Sequence, residues 1–404
     1  MALRFVATDP DPYLMALPWD IPLEHWPDEL LVPLPQGISR HVVRIVKVGE
    51  RVLAVKETRE RLANREYQML RDLRRLNLPV VAPLGVVSGR GTFDGEELEP
   101  ALVTVHLRYS LPYRALFSHG LPTSSLPRII DALVVLLVRM HLAGFFWGDV
   151  SLSNVLFRRS AGEFSAYVVD AETGELHPEL SAGQRAYDLE VARVNLCGEM
   201  LDLQAGGLLD PKIEPETITD QVADRYSLLW DELTGTEEFT PAELWRVERR
   251  VERLNELGFD VEETDLVADW EHASVQMTPR VVEAGHHRRE LQRLVGLEVE
   301  ENQARRLLTD IASFAVHSNL ADEDRGVVAH RWLTTVFEPV WAMVPVELRG
   351  TIEPAEAFHE ILEHRWYLSE RAGREVDIFD TTRDYIETVL RNRPTAAETP
   401  DEPD

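Results

Sequence analysis

Residues 141–157 read His-Leu-Ala-Gly-Phe-Phe-Trp-Gly-Asp-Val-Ser-Leu-Ser-Asn-Val-Leu-Phe, and residues 167–172 read Tyr-Val-Val-Asp-Ala-Glu. A carboxylate at 149, a carboxamide at 154 and a second carboxylate at 170 are hard oxygen donors in an order that suits phosphoryl transfer. Such transfer needs a carboxylate to orient an acceptor hydroxyl and take its proton. It also needs oxygen ligands for the Mg²⁺ that accompanies the ATP phosphates. Asp149 suits the first task, Asn154 and Asp170 the second. Gly148 removes side-chain bulk where a substrate would approach. Asp-x4-Asn alone is common by chance. Here it gains weight from an apolar helix before it, an apolar run Val155–Phe157 after it, and Val168-Val-Asp170 one hairpin later. Glu172, two residues on, falls on the same side of an extended segment and could share the metal, although an exposed loop acid fits equally well.

Lys56 is the next residue of interest. Arginine outnumbers lysine 39 to 3, so each lysine is conspicuous, and Lys56 closes the strand-like run Val52-Leu-Ala-Val. At that place an ammonium can grip phosphates as a compact point charge; the alternative is a strand-end lysine in water. Glu66 favours the first reading. It follows Leu62 by four residues and precedes Met69 and Leu70 by three and four, which puts a carboxylate on the apolar face of a helix. Burying that charge requires a partner, and Lys56 is the available one.

The surrounding pattern must position these groups. Residues 1–30, rich in Pro and Trp, read as an irregular arm. Three β-branched runs follow, over 30–34, 41–48 and 51–55, separated by Gly37 and Gly49, and predict an antiparallel meander. A helix over 60–76, strands over 80–87 and 101–106 and a Gly/Glu-rich hairpin at 89–100 complete a small mixed lobe. Leu126–Ala143 predicts a buried helix that ends at Gly144. Gln184–Leu203 is a further helix, with Asp188 near its start. Asp188 has two readings, a brace for the backbone of the 149–154 loop or a plain N-terminal helix acid. Gly206-Gly207, Pro211 and Pro215 mark a break in composition, and helices are expected beyond it over 218–233, 241–257, 278–294, 300–317, 326–337 and 354–372. The polar stretch from Thr395 onward reads as disordered.

The 404 residues, with a 44% hydrophobic fraction, suffice for two or three core-forming domains. The longest apolar run, Ala132–Val138, is far too short to span a bilayer. No secretory pattern opens the sequence, and the single cysteine, Cys197, cannot form an internal disulfide, so a cytoplasmic location is expected. Cys197 itself reads as core packing. The net charge of −28 is uneven: residues 1–205 carry 21 Lys+Arg against 26 Asp+Glu, residues 206–404 carry 21 against 44. Such a field repels a phosphate backbone and argues against nucleic acid as a partner. The arginines at 246, 249, 250 and 253 alternate with Glu248 and Glu252, as helix-surface ion pairs do. His359 and His364 are spaced H-x4-H, which does not bring both imidazoles to one helical face as a zinc helix requires. His286-His287 reads as surface.

The string Leu-His-x-x-Gly-Phe-Phe-x-Gly-Asp-x-Ser-x-x-Asn-x-Leu-Phe, with the later Val-Val-Asp, resembles small atypical kinases: lipopolysaccharide core heptose kinases, RIO-type kinases, and aminoglycoside or choline phosphotransferases. The resemblance covers about residues 31–205. Together with the Leu17-Pro-Trp-Asp segment and residues 358–369, the whole chain is similar to an uncharacterised bacterial family in which a lipopolysaccharide-kinase-like domain precedes a C-terminal domain of unknown function. The resemblance implies an α+β, bilobal protein-kinase-like fold followed by an all-α domain: an arm at 1–30, a β-rich lobe at 31–108, a helical lobe at 109–205, an acidic helical domain at 206–393 and a tail at 394–404. It implies ATP and Mg²⁺ as cofactors, Lys56 and Glu66 as the nucleotide-gripping ion pair, Asp149 as base and Asn154 and Asp170 as metal ligands.

The chain departs from those families in several places. The segment that would cradle phosphates, Leu34-Pro-Gln-Gly37-Ile-Ser39-Arg40-His41, has one glycine, so Gly37 would have to be helped by Ser39 or Arg40. Trp147 stands where His or Arg is usual, and Ala171 where Phe-Gly would follow Asp170. No activation segment separates Asp170 from Asp188, so the acceptor, whether sugar, lipid headgroup or protein hydroxyl, need not be a protein. The leading expectation is a phosphotransferase acting on a hydroxyl. Its rival is a pseudokinase-like, nucleotide-binding scaffold that recruits a protein partner through the acidic half.

Overall fold

The computed structural model of the chain describes residues 2–7, 12–34, 41–49, 51–118, 122–240, 243, 245–256, 259–269 and 274–392; for residues 123, 239, 247, 256, 260–269 and 274–283 it describes backbone only. Gly37, Ser39, Arg40 and the expected tail therefore lie outside the described residues. The chain is a mixture of helices and antiparallel sheets. Its described residues divide into two compact units, the first within 2–158 and 165–226, the second within 159–164 and 227–392. The division falls inside a helix, after Tyr226, rather than at the composition break near Gly206.

In the first unit the strands β1 (Arg4–Ala7), β2 (Val43–Val48), β3 (Arg51–Glu57), β4 (Ala82–Ser88) and β7 (Ala101–Val105) form one antiparallel sheet in the order β1-β4-β7-β3-β2. A short hairpin of β5 (Thr92–Phe93) and β6 (Glu96–Glu97) connects β4 to β7. The period of two along β3 sends alternate side chains to opposite faces. Leu53 and Val55 enter the core on one face, whereas Ala54 and Lys56 line a cavity on the other.

The N-terminal arm is not irregular. Residues 4–7 pair with β4 as an edge strand, and the following segment folds into 3₁₀ turns at 12–16, 23–25 and 28–30. Leu14, Leu17, Trp19, Leu23 and Trp26 of this segment pack with Leu53 and Val55 on the sheet face opposite the cavity. A strand of four residues is too short to show periodicity, and the Pro-Trp turns owe their order to burial against the sheet. The expected strand at 30–34 is reduced to a single bridge, Leu31 to Val46.

Helix α1 (Glu60–Arg75) packs on β4 and β7 through Ala63, Tyr67, Leu70 and Leu73, with Glu66 buried on the same stripe. After β8 (Ser110–Pro112) and α2 (Tyr113–Ser118) comes α3 (Leu126–Leu142), apolar on most of its circumference and correspondingly buried. It stops at Gly144, whose φ is +79°. Then β9 (Phe145–Phe146) pairs with β12 (Glu175–Leu176), while β10 (Val155–Ser160) and β11 (Glu163–Val168) join β8 in a three-stranded sheet. Helix α4 (Ala182–Ala205) begins with a capping box, Ser181 and Gln184 each bonding the other's backbone N–H. Helix α5 (Pro215–Thr234) closes the unit and runs into the next.

The second unit is not all-α. Strands β13 (Glu237–Phe239), β14 (Phe259–Asp269) and β15 (Ser274–Ala284) form an antiparallel sheet in the order β13-β15-β14. The helix expected over 278–294 is thus a strand to Ala284, and α7 begins only at His286. Thr278-Pro279 imitates a helix start, but Val261, Thr264, Val267, Val275, Val281 and Val282 give the hairpin the β-branched density that an extended pleated pair favours. Gly285, at φ +100°, makes the turn into the helix. Helix α6 (Trp245–Glu256) precedes the hairpin. Helices α7 (His286–Val295), α8 (Glu301–His317), α9 (Arg325–Trp332), α10 (Glu338–Met343), α11 (Pro354–Ala372) and α12 (Ile378–Thr388) surround a core centred on Trp332, Phe337 and Phe358. No helix among the described residues is long and apolar enough to cross a membrane.

Candidate active site

A cavity of about 520 Å³ opens within the first unit, inside the roughly 300–1,000 Å³ range of small-molecule sites. Val43, Ile45, Ala54, Leu102, Leu156 and Val169 give it an apolar wall. Lys56, Glu66, Asp149, Asn154, Asp170 and Glu172 all face it. Six residues singled out from the sequence therefore share one cleft, brought there by β3, α1, the 149–154 loop and the segment after β11.

Lys56 Nζ lies 3.0 Å from Glu66 Oε2, 2.6 Å from Asp170 Oδ2 and 3.7 Å from Glu172 Oε2. Burial opposes the charged ammonium, but Glu66 and Asp170 outweigh it and hold the lysine well above its ordinary range. Glu66 is fully buried. Its carboxyl is pushed up to about 8, first by burial and then by the Asp170 charge, against the pull of Lys56. One ammonium thus serves three carboxylates.

Each of Glu66, Asp170 and Glu172 offers an oxygen, and the three atoms lie within 4.8 Å of one another. Glu66 Oε1 and Glu172 Oε2 are buried without a hydrogen-bond donor among the described residues. Buried acceptors left without donors, in a cluster of hard oxygens, fit a divalent cation such as Mg²⁺.

In the same cleft, Asn154 Nδ2 donates to the Asp149 carbonyl at 2.9 Å and to Asp149 Oδ2 at 3.2 Å. This leaves Asn154 Oδ1 as the atom able to meet a cation. Val169 N donates to the Asn154 carbonyl at 3.0 Å, tying the loop to the segment that carries Asp170.

Three residues of α4 hold the loop from below. Asp188 is completely buried; Oδ2 accepts from Trp147 N at 2.8 Å and Oδ1 from Gly148 N at 2.7 Å. Of its two sequence readings, the brace is the one realised. Its Oδ2 also lies 3.1 Å from His141 Nε2, and His141 Nδ1 is 2.7 Å from the Tyr226 hydroxyl. Burial lowers the His141 pKa despite the Asp188 charge, so the imidazole is held neutral. Trp147 is buried and donates Nε1–H to the Asp170 carbonyl at 3.1 Å. Asn195 and Glu199, which the sequence did not reveal, make the remaining contacts. Asn195 Nδ2 reaches Asp149 Oδ1 at 3.3 Å and the Val150 carbonyl at 3.1 Å. Glu199 accepts from Leu152 N at 2.8 Å and Ser153 N at 2.7 Å. Only the helical phase of 188, 195 and 199, which share one face of α4, hinted at them.

The histidines remain structural. His364 Nε2 lies 2.6 Å from Asp384 and His359 Nε2 3.4 Å from Glu363, with no third ligand group near either among the described residues. His287 is half-buried, bonded through Nδ1 to Glu301 at 2.7 Å. Cys197 is half-buried rather than in the core.

A domain family of unknown function, DUF4032, matches residues 228–390, a stretch outside the cleft. No curated protein sequence matches the chain. Among solved structures, WaaP in complex with acyl carrier protein is similar over 62% of this chain and 99% of its own, at 18% identity and a TM-score of 0.35.

Proposed function

We propose that the first unit is an ATP- and Mg²⁺-dependent phosphotransferase that delivers the γ-phosphoryl group to a hydroxyl. The observation that carries this reading is the convergence of Lys56, Asp149, Asn154 and Asp170 on one cavity that is also lined by Val43, Ile45, Ala54, Leu102, Leu156 and Val169. In this reading β1 to β7 with α1 form the small lobe, the rest of the first unit the helical lobe, and the second unit an acidic domain available to a protein partner.

The roles follow from chemistry. The apolar wall takes the base of the nucleotide. Lys56, kept charged by its carboxylate neighbours, holds phosphate oxygens, and Glu66 keeps the lysine from turning away. Asn154 Oδ1, Asp170 and Glu172 are the ligands for Mg²⁺, which when bound neutralises charge on the phosphates. Asp149 accepts the proton of the acceptor hydroxyl. Both of its carboxylate oxygens receive amide donors, one from Asn154 and one from Asn195, which fix the orientation of the carboxylate that a positioned base requires. The acceptor is a hydroxyl compound, and the reaction is expected in the cytoplasm, where ATP is abundant.

Calorimetric titration of the full chain with ATP and Mg²⁺ tests the binding half: saturable, Mg²⁺-dependent binding at or below millimolar concentration is expected. Asp149→Asn tests the chemistry. ATP binding should persist while release of ADP falls about 10²–10⁴-fold, the usual worth of a positioned base. A native chain that binds ATP and releases no ADP with any hydroxyl acceptor would favour the scaffold instead.

A further inference from the structure

Seven hydrogen bonds join one face of α4 to residues 147–153. Asp188 takes the first part of the loop, Asn195 the middle and Glu199 the end. Glu199 differs from the other two in what it holds. Its Oε2 accepts from Leu152 N at 2.8 Å, and its Oε1 accepts from Ser153 N at 2.7 Å and from the Ser153 hydroxyl at 2.6 Å. Both oxygens are therefore committed to the two residues that immediately precede Asn154.

These bonds are strong for their number. Backbone N–H groups aimed at a carboxylate form charge-assisted hydrogen bonds, shorter and stronger than neutral ones. Burial pushes the Glu199 carboxyl up, against the same three donors, which favour its ionised form. Asn154 makes its own contacts within the loop and to the next strand: its amide donates to the Asp149 carbonyl at 2.9 Å and to Asp149 Oδ2 at 3.2 Å, its N–H reaches the Ser151 hydroxyl at 3.3 Å, and its carbonyl accepts from Val169 N at 3.0 Å. None of these ties the loop to α4 at this end, so the link between Asn154 and that helix runs through the anchoring of its two predecessors by Glu199.

We infer that Glu199 is a positioning residue: by clamping Leu152 and Ser153 to α4 it fixes Asn154 at the metal side of the cleft. The metal consequence rests on the phosphotransferase reading; the clamp does not. Groups that orient metal ligands from behind cost about 10–100-fold in metal affinity or activity when removed. Neither the spacing of the loop nor its composition reveals Glu199, which lies beyond the next three strands and most of a helix.

The experiment uses the full chain with Glu199→Ala, Glu199→Gln and Glu199→Asp. Hydrogen exchange of a peptide spanning residues 150–155 should accelerate at least tenfold in Glu199→Ala, while peptides from α1 and α3 keep native rates. Glu199→Gln, which keeps one acceptor oxygen, should lie between the two. In parallel, the gain in ATP affinity on adding Mg²⁺ should fall about 10–100-fold in Glu199→Ala, with metal-free affinity unchanged, and Glu199→Asp should recover part of it. Acceleration across the whole unit would show a general stabilising role and overturn the inference, as would unchanged exchange at 150–155 or an unchanged Mg²⁺ gain. A native chain that binds no ATP would instead sink the phosphotransferase reading, and the exchange comparison would still decide whether the clamp exists.

Discussion

Lys56 and Asp170 are 114 residues apart in sequence and 2.6 Å apart in space. The same ammonium meets the buried Glu66 at 3.0 Å. Removing it strands a fully buried carboxylate beside two others. Lys56→Met should therefore cost stability as well as nucleotide affinity, up to about 3–5 kcal/mol for an unpaired buried charge and less where Glu66 takes up a proton. Lys56→Met/Glu66→Gln should recover much of the loss. Urea titrations of the native chain and the two variants measure it, and a double variant no more stable than Lys56→Met would show that the pairing is not what stabilises the cleft.

The buried His141 predicts an acid-sensitive fold. Its folded pKa is depressed, whereas in the unfolded chain it titrates near the ordinary value of about 6.5. Below that pH the unfolded state binds the extra proton, so stability contributed by the neutral imidazole is present above about pH 6.5 and is lost as pH falls. A single such group sets a slope of up to about 1.4 kcal/mol per pH unit. Melting temperatures between pH 5 and 8 should fall on the acid side in the native chain. In His141→Phe that fall should be shallower, whatever the variant's absolute stability.

What the sequence disclosed and what it withheld divide along physical lines. Asp149, Asn154 and Asp170 were legible because spacing and flanking apolar runs fix them locally, and Glu66 because helical phase placed a carboxylate among leucines. Asp188 was half legible: its position near a helix start suited two roles, and only the fold chose between them. Asn195 and Glu199 were not legible, since their partners are backbone N–H and C=O groups, a serine hydroxyl and a side-chain carboxylate from a distant loop. The strand at 4–7 was missed because its evidence is a pairing with β4, not a pattern. The hairpin of β14 and β15 was misread because Thr278-Pro279 obeys a local helix-start rule that pairing with β14 overrides.

Two glycines flanking the loop separate strain from collision. Gly144 and Gly148 both have positive φ, +79° and +76°. A Cβ at 144 would stand 2.0 Å from the His177 carbonyl oxygen, whereas one at 148 would meet nothing nearer than the Phe146 ring at 3.5 Å. Gly148→Ala should cost only the left-handed backbone penalty, about 1–2 kcal/mol. Gly144→Ala should cost clearly more, because backbone must move. Equal losses in thermal unfolding would mean that the close approach at His177 relaxes freely.

Trp332 offers the sharpest test of the second unit. It is fully buried, stacks edge-on against Phe358 with ring centres 5.6 Å apart, and donates Nε1–H to Asp310 Oδ2 at 2.7 Å. Burial raises the Asp310 pKa, and the indole donor opposes that shift. Trp332→Phe keeps the packing and removes the donor, so about 1–3 kcal/mol should be lost, with the Asp310 pKa rising further. Trp332→Ala also opens a cavity and should lose about 3–5 kcal/mol. If the two variants unfold at the same urea concentration, the hydrogen bond to Asp310 rather than the ring's volume organises this core.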